Sequence, residues 1–241
     1  MNKVRLDQEV VKRSLVRSRS QAESYIKLGQ VSVNNKVIKK PGHLVSEIDK
    51  ISLLHDERYV SRAALKLDSI TEELRLNFKD KIMLDVGSST GGFTDYALQH
   101  GAIKVIAVEV GTDQLHPSLK GNKQIELHEQ TDIRDMYSLS DNPDIVMIDV
   151  SFISLRDVLP HIATIVSKSC DIIAMVKPQF EAKNNDLKHK GVIKNDSMRR
   201  TILKDFELWV QKYFVIINKS DSKIRGAKGN LERFYLLRKS R

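Results

Sequence analysis

The chain is poor in the residues that build a disulfide scaffold, a stacking surface or a membrane segment. One of its 241 residues is cysteine, so no intramolecular disulfide can form, which fits a reducing cytosol. That residue, Cys170, lies just ahead of the apolar run Ile172-Ile173-Ala174-Met175-Val176 with no base beside it. It reads as a buried structural thiol rather than a nucleophile. Aromatic residues make up 6% of the chain, too few for a broad base-stacking platform. No window approaches the ~20 apolar residues of a membrane span. The start Met1-Asn-Lys-Val-Arg-Leu-Asp7 has no apolar signal core. No internal repeat and no metal-ligand pattern stand out. A secreted or pore-forming role has no support, and a cytoplasmic chain without a membrane partner is expected.

What the chain does have is basic charge, unevenly placed. The formal net charge is +9, and residues 1–55 carry 11 Lys and Arg against 5 Asp and Glu. A polyanion is the expected partner, engaged mainly by the first quarter of the chain. The last stretch, 223–241, adds seven Lys and Arg against one Glu and is expected to flank the site. With 41% hydrophobic residues a real core is affordable, in one large domain or a large and a small one.

The spacing predicts a helix from Arg5 to about Val16 and a second from Arg19 to Leu28. Ser18 and Gln21 would form a capping box for the second, and Gly29 its stop. Val31-Ser-Val33, the turn Asn34-Asn35, Lys36-Val37-Ile38, the break Pro41-Gly42 and the run 50–54 follow as strands and turns. This small α+β domain is expected over 1–55, with a linker over 56–60 and a larger domain over 61–241. The larger domain opens with a helix capped by Ser61. It then alternates strands near 82–86, 103–109, 124–128, 144–149, 171–176 and 213–218 with helices near 92–100, 155–167 and 197–212. A last strand is expected near 232–238. The alternation argues an α/β fold with a mostly parallel seven-stranded sheet and an antiparallel last strand. Residues 182–196 are polar and expected to form a loop.

The densest chemical signal is Leu84-Asp85-Val86-Gly87-Ser88-Ser89-Thr90-Gly91-Gly92-Phe93. An apolar strand ends in an acid, and a glycine-rich turn opens into a helix. Such a turn lets backbone pass close to a ligand with no Cβ in the way. The spacing G-x-x-x-G is neither the dinucleotide fingerprint nor the phosphate loop. It resembles the S-adenosyl-L-methionine loop of class I methyltransferases, which have a Rossmann-like fold. Ligands of open α/β sheets lie beyond the C-terminal strand ends. Glu109 ends the second strand, where an acid can accept both hydroxyls of a ribose. Asp132 and Ile133 follow the third, where an adenine edge would sit.

Four charged residues complete the pattern. Lys66 precedes the first strand, Asp149 ends the fourth, Lys177 ends the fifth and Glu232 starts the last. Lys, Asp, Lys and Glu in this order resemble the tetrad of ribose 2′-O-methyltransferases of the FtsJ type. The first 55 residues resemble the RNA-binding domain of the ribosomal protein S-four type, through Arg5-Leu6-Asp7, Ser18-Arg19, Ala22, Ile26, Gly29, Val31, Val33, Asn34 and Pro41. Together the two halves are similar to the TlyA family of ribosomal RNA 2′-O-methyltransferases, some of which carry the label hemolysin. The resemblance runs almost end to end, through Tyr59-Val-Ser-Arg62, Leu65-Lys66-Leu67, Asp149-Val-Ser-Phe152-Ile-Ser-Leu155, Val176-Lys-Pro-Gln-Phe-Glu181 and Gly229-Asn230.

The chemistry explains the residue types. A ribose hydroxyl is a weak nucleophile and a sulfonium methyl is already activated, so the protein must orient the two and take a proton. Lys177 is the candidate base. A free lysine titrates near 10.4 and is protonated at neutral pH, so a base must be pushed down by its surroundings. Lys66 is expected to do this as a like charge, while Asp149 and Glu232 hold the lysine heads. Two other methyl transfers fit less well. Cytosine C5 chemistry needs a cysteine that Cys170, ahead of the fifth strand, does not supply. Amine methylation favours Asn or Asp followed by two prolines and an aromatic, where this chain has Asp149-Val-Ser-Phe152.

The expected partner is ribosomal RNA, as free subunits or ribosomes, with cytidine as the nucleotide that the resemblance implies. Arg5, Lys12, Arg13, Arg17, Arg19 and Lys36 are expected on phosphates, which fix position rather than sequence. A folded RNA read by shape suits the low aromatic content. A monomer is favoured. The proximity of the basic module to residue 1 hints at the narrower range of ribosomal targets. The competing reading is a ribosome-binding or assembly factor with little turnover; a membrane-lytic protein is suggested by the family's alternative label alone.

Overall fold

The computed structural model describes residues 3–16, 19–27, 31–53, 58–182, 192, 193, 195–226 and 229–240. The chain divides into two compact units, Met1–Arg58 and Tyr59–Arg241.

In the first unit, β1 (Val4–Arg5) leads directly into α1 (Leu6–Lys12), and α2 (Arg19–Lys27) follows. Strands β2 (Val31–Val33), β3 (Lys36–Val37), β4 (Leu44–Val45) and β5 (Ile51–Leu53) complete it. The order β3-β2-β5 makes a three-stranded antiparallel sheet, and β1 pairs with β4. Asn34 and Asn35 both have positive φ, 49° and 64°, the two-residue turn whose twist matches a hairpin. Leu6, Val10, Ala22, Ile26, Val31 and Val45 are fully buried in one core. The first helix is shorter than the spacing predicts. It stops at Lys12 because the chain turns back on itself, with Ser14 at φ 55° and the Leu15 N–H bonded to the Val10 carbonyl. The predicted cap Ser18 and stop Gly29 lie outside the described residues.

The second unit begins with α3 (Arg62–Thr71), capped by Ser61, whose hydroxyl accepts the Ala63 N–H. It continues with β6 (Ile82–Val86), α4 (Gly92–Gln99), β7 (Lys104–Val108), β8 (Ile125–His128), β9 (Ile145–Ile148), α5 (Leu155–Ile165) and β10 (Asp171–Val176). The one-turn α6 (Pro178–Glu181), α7 (Asp196–Val210), β11 (Phe214–Asp221) and β12 (Arg233–Lys239) end the chain. The seven strands lie in the order β11-β12-β10-β9-β6-β7-β8. The pairs β10–β9, β9–β6, β6–β7 and β7–β8 are parallel, and β12 runs antiparallel to both of its neighbours.

Helices cover both faces of the sheet, so its inner strands read as continuous apolar runs. Alternate residues feed two cores. Leu84, Val86, Val146 and Ile148 pack with Val158 and Ile162 of α5 and Phe206 of α7. Met83, Val105, Met147 and Ile173 pack with Leu67 and Ile70 of α3 and Phe93 and Tyr96 of α4. Tyr59 and Val60, read from sequence as linker, belong to this unit. Tyr59 is buried against Tyr96, and the Val60 N–H bonds Asp95 Oδ2 at 2.8 Å.

This topology places the chemistry. The parallel strands β6, β7, β9 and β10 all end at one edge of the sheet, carrying Asp85, Glu109, Asp149 and Lys177 there. Because β12 is antiparallel, it begins where β10 ends, with Arg233 opposite Val176. Glu232, the residue before it, therefore arrives at the same edge.

Candidate active site

The loop after β6 is shaped by two close approaches. Gly87 has φ +79°, and a Cβ there would lie 2.8 Å from the Asp149 carbonyl oxygen, so only glycine lets the two strand ends come together. Gly92 starts α4 against the start of α3; its Cβ would fall 2.1 Å from Ser61 Oγ. The Gly87 and Ser88 N–H groups both donate to the Val108 carbonyl, at 2.9 and 3.1 Å, tying the loop to β7.

Asp85 is 1% exposed. Its Oδ2 accepts the Thr94 N–H at 3.0 Å and the Thr94 hydroxyl at 2.7 Å, at the start of α4. Its Oδ1 is buried with no hydrogen-bond partner among the described residues, as is Ser88 Oγ. Burial pushes the Asp85 carboxyl up to about 7, and the charges of Asp149 and Glu109 add to it against the Thr94 bonds. A buried acceptor without a donor is costly, and its natural partner is a donor or cation on a ligand.

Glu109 is 7% exposed. Its two oxygens accept the Ser89 N–H at 2.9 Å and the Gly111 N–H at 2.7 Å. Gln114 Nε2 also reaches Oε1, at a long 3.5 Å, and Oε2 keeps a lone pair for a further donor. A cavity of about 410 Å³ opens beside it, lined by Val108, Glu109, Thr131, Ile133, Asp149 and Val158 among others. This volume falls in the range of about 300–1,000 Å³ usual for small-molecule sites. An adjoining cavity of about 180 Å³ is lined by Asp85, Ser88, Thr90, Phe93, Ser151 and Lys177. The two share Gly87, Ser89, Asp149 and Ser151. Together they run from an apolar wall at Ile133, past an acid, to a second acid and a lysine. Asp132 reaches the larger cavity, but its carboxylate is held by Arg134 through Nε at 3.0 Å and Nη2 at 2.6 Å, which keeps it below the usual carboxylate range.

The four tetrad residues form two ion pairs. Lys177 Nζ lies 2.5 Å from Asp149 Oδ1 and donates to Ser151 Oγ at 2.7 Å. Lys66 Nζ lies 2.6 Å from Glu232 Oε2. All four side chains are at most 17% exposed. The Lys177–Asp149 pair lines the smaller cavity; Lys66 and Glu232 line neither. Each lysine thus has its own carboxylate, which offsets the like-charge effect expected of Lys66 on Lys177. The loop before β12 closes tightly on Glu232: a Cβ on Gly226 would lie 2.7 Å from Glu232 Oε1.

Several residues of the site carried no role in the sequence reading. Ser61, Ala63 and Ser151 line the smaller cavity. Ser61 was legible as a helix cap, but its approach to Gly92 was not. Phe152 is 91% exposed with φ +66°, and its ring centroid is 5.3 Å from that of Phe180. A positive φ on a bulky residue is the signal of a constrained turn.

In the first unit the basic residues divide. Arg5 makes two 2.9 Å bonds to fully buried Asp7, which also accepts from Arg19 at 3.0 Å. Arg13 bonds Glu9 at 2.8 Å and the carbonyls of Asp49, Ser46 and Glu47 at 2.7–3.2 Å. These arginines hold the fold as well as facing solvent. Lys12 makes an exposed 3.5 Å pair with Glu47, and Lys36 is exposed. Arg17 lies outside the described residues.

Comparison with known proteins agrees with both halves. Residues 4–51 match the S4 domain, and residues 59–240 match the FtsJ-like methyltransferase family. A Campylobacter jejuni protein named 23S rRNA (cytidine-2′-O)-methyltransferase TlyA is 44% identical over 188 residues, 77% of this chain and 73% of that protein. A Mycobacterium tuberculosis protein named 16S/23S rRNA (cytidine-2′-O)-methyltransferase TlyA is 34% identical over 98% of this chain and 90% of its own length. The solved structure described as "Putative hemolysin from Streptococcus thermophilus" is 35% identical, with a TM-score of 0.77, over 100% of this chain and 90% of that one. With most of its length matched, the chain belongs to the FtsJ-like methyltransferase family and carries an S4 domain ahead of it.

Proposed function

We propose that the chain moves a methyl group from S-adenosyl-L-methionine to a ribose 2′-hydroxyl of ribosomal RNA, at a cytidine. The observation that carries this reading is the Lys177–Asp149 pair in a cavity continuous with one suited to an adenosine. The residues fit the cofactor. Glu109 has acceptor capacity for a ribose diol, Ile133 and Val108 offer an apolar wall for the adenine, and Asp85 Oδ1 and Ser88 Oγ await donors from the amino-acid end. When bound, the cofactor supplies a methyl group already activated by its sulfonium.

The protein's own work is then orientation and one proton. For Lys177 Nζ to take the proton that the 2′-hydroxyl loses as its oxygen attacks, it first gives one of its own protons to solvent. Asp149, 2.5 Å away, stabilises the ammonium that results, and Ser151 fixes its direction. Lys66, neutralised by Glu232, holds the start of β12 against α3 beside this centre. The S4 domain delivers the RNA through phosphate contacts from Lys12, Lys36 and the solvent faces of Arg5, Arg13 and Arg19, with Arg17 expected to add to them from the sequence alone. The substrate is a ribosomal subunit in the cytoplasm, and the chain works on it as a monomer. Among the described residues no helix is long and apolar enough to cross a membrane.

The test is methyl transfer from labelled cofactor to separate small and large ribosomal subunits, with the 2′-O-methyl mapped to a nucleotide. The relatives named for 23S alone and for 16S and 23S together make the two subunits separate arms. Lys177→Ala is expected to lower kcat by about 10²–10⁴ with cofactor affinity nearly unchanged. Transfer at the wild-type rate by this variant would overturn the assigned base.

A further inference from the structure

Asp149 and Lys177 sit at the ends of neighbouring strands, but the ladder between those two strands stops before it reaches either of them. The β9–β10 ladder ends at Ile148 and Ala174, one residue short of Asp149 and three short of Lys177. Past that point the two chains part. One turns through residues 150–154 into α5, and the other folds into the single turn of α6. Each backbone is still held from its other side, Asp149 by its N–H to the Val86 carbonyl at 3.0 Å and Val176, the residue before Lys177, by pairing with Arg233, so what joins the two directly is the pair of turns that follow.

A buried carboxylate ties those loops together. Glu181, the last residue of α6, is 7% exposed. Its Oε1 accepts the Leu155 N–H at 2.7 Å. Its Oε2 accepts the Ser154 hydroxyl at 2.6 Å and Arg156 Nε at 3.4 Å. Leu155 and Arg156 begin α5, so the negative charge also sits where the helix dipole favours it. Ser154 caps the same helix, its Oγ accepting the Arg156 N–H at 3.1 Å while its proton goes to Glu181. Arg156 continues to Asp205 of α7 at 2.8 Å. Burial pushes the Glu181 carboxyl up, and these donors oppose it.

We infer that Glu181 is a positioning residue for methyl transfer: its carboxylate locks the turn after Asp149 to the turn after Lys177 and so fixes the geometry of the proton-accepting pair. The inference rests on the proposed role of Lys177. Glu181 lines neither cavity, so it acts through the pair rather than on substrate. A misplacement of about 1 Å at a reacting centre is enough to cost about 10²-fold in rate.

The test compares the full-length wild-type chain with Glu181→Gln, Ser154→Ala, Lys177→Ala and the Lys177→Ala/Glu181→Gln double variant, each normalised to folded protein by circular dichroism. Glutamine keeps the shape and the Leu155 bond but loses the charge and the second acceptor. Glu181→Gln is expected to lower kcat at least tenfold, with cofactor affinity and the KM for ribosomal subunits within about threefold. Ser154→Ala, which removes the 2.6 Å bond from the other side, is expected to lower kcat in the same sense by a smaller factor. In the Lys177→Ala background Glu181→Gln is expected to cost nothing more, because groups acting as one unit are not additive.

A Glu181→Gln protein with wild-type kcat overturns the inference. So does a loss shared equally by cofactor binding, or one that multiplies the Lys177→Ala loss, since either marks a general structural role. If Glu181→Gln fails to fold, Ser154→Ala decides alone: wild-type kcat in it overturns the inference. A Lys177→Ala protein with wild-type kcat removes the base assignment, and the inference falls with it.

Discussion

Replacing Asp85 by asparagine should make the protein more stable and a poorer cofactor binder, and the stability gain should grow with pH. Burial lifts this carboxyl from the ordinary 3.8 to about 7. A group whose folded value exceeds its unfolded one contributes stability that is fully present below the unfolded value and is lost as pH rises through the folded value. For Asp85 that window runs from 3.8 to about 7, and the complete loss is about 4 kcal/mol. About 2 kcal/mol is already gone near pH 5.5, and all of it near pH 8.5. Asparagine is neutral throughout. Its Oδ1 can accept the Thr94 N–H and hydroxyl as Asp85 Oδ2 does, and its Nδ2 replaces an oxygen that has no partner among the described residues. The advantage of Asp85→Asn should therefore grow by about 2 kcal/mol between pH 5.5 and 8.5. For a unit of this size that is about 4–8 °C in Tm, readable by calorimetry. Isothermal titration should show cofactor affinity falling at least tenfold in the same protein. A Tm difference that stays flat over this pH range would refute the burial argument. Unchanged affinity would refute the role of Asp85 toward the ligand.

Two further outcomes separate fold from function elsewhere in the chain. Arg13→Ala leaves Glu9 buried without its 2.8 Å partner and frees three carbonyls, so it should cost about 3 kcal/mol in denaturant unfolding of the first unit. Lys36→Ala should leave stability unchanged while weakening RNA binding and reducing the slope of log affinity against log salt by about 1. Cys170 is 1% exposed and burial pushes its thiol up to about 12, so a thiol reagent at pH 8 should label it after unfolding and not before.

The parts of this molecule that were legible in the sequence are those set by local rules. A strand needs a period of two or an apolar run, a tight turn needs glycine, and Asp85 to Phe93 obeys both within ten residues. The strand ends could be listed in order, which located Glu109, Asp149 and Lys177. Partner choice was not legible, because it depends on which strand runs antiparallel. Glu232 reaches Lys66 only because β12 begins at the edge where β10 ends. The arginines of the first unit show the same limit. Read along the chain, Arg5, Arg13 and Arg19 are a basic stripe; in three dimensions Asp7 and Glu9, both buried, bind them. Elements of two to four residues, such as β1, β4 and α6, are too short for any period to show. The role of Glu181 was invisible for this reason, although the residue closes the run Val176-Lys-Pro-Gln-Phe-Glu181.

Charge satisfaction divides the site into two parts of different character. At the acceptor end each lysine has a carboxylate within 2.6 Å, so these four charges are settled without a ligand. At the cofactor end Asp85 keeps an oxygen, and Ser88 a hydroxyl, with no partner among the described residues. A low-dielectric interior makes such an orphan costly, which is the reason a donor on a ligand would bind well against it. On the proposed assignment, the cofactor would meet a group already waiting, and the ribose hydroxyl would share Lys177 with Asp149 and Ser151. Binding and chemistry should then separate by mutation: Asp85→Asn removes affinity with the base pair intact, and Lys177→Ala removes turnover with affinity intact. A cofactor site that lost affinity in both variants alike would show instead that the two halves are one electrostatic unit.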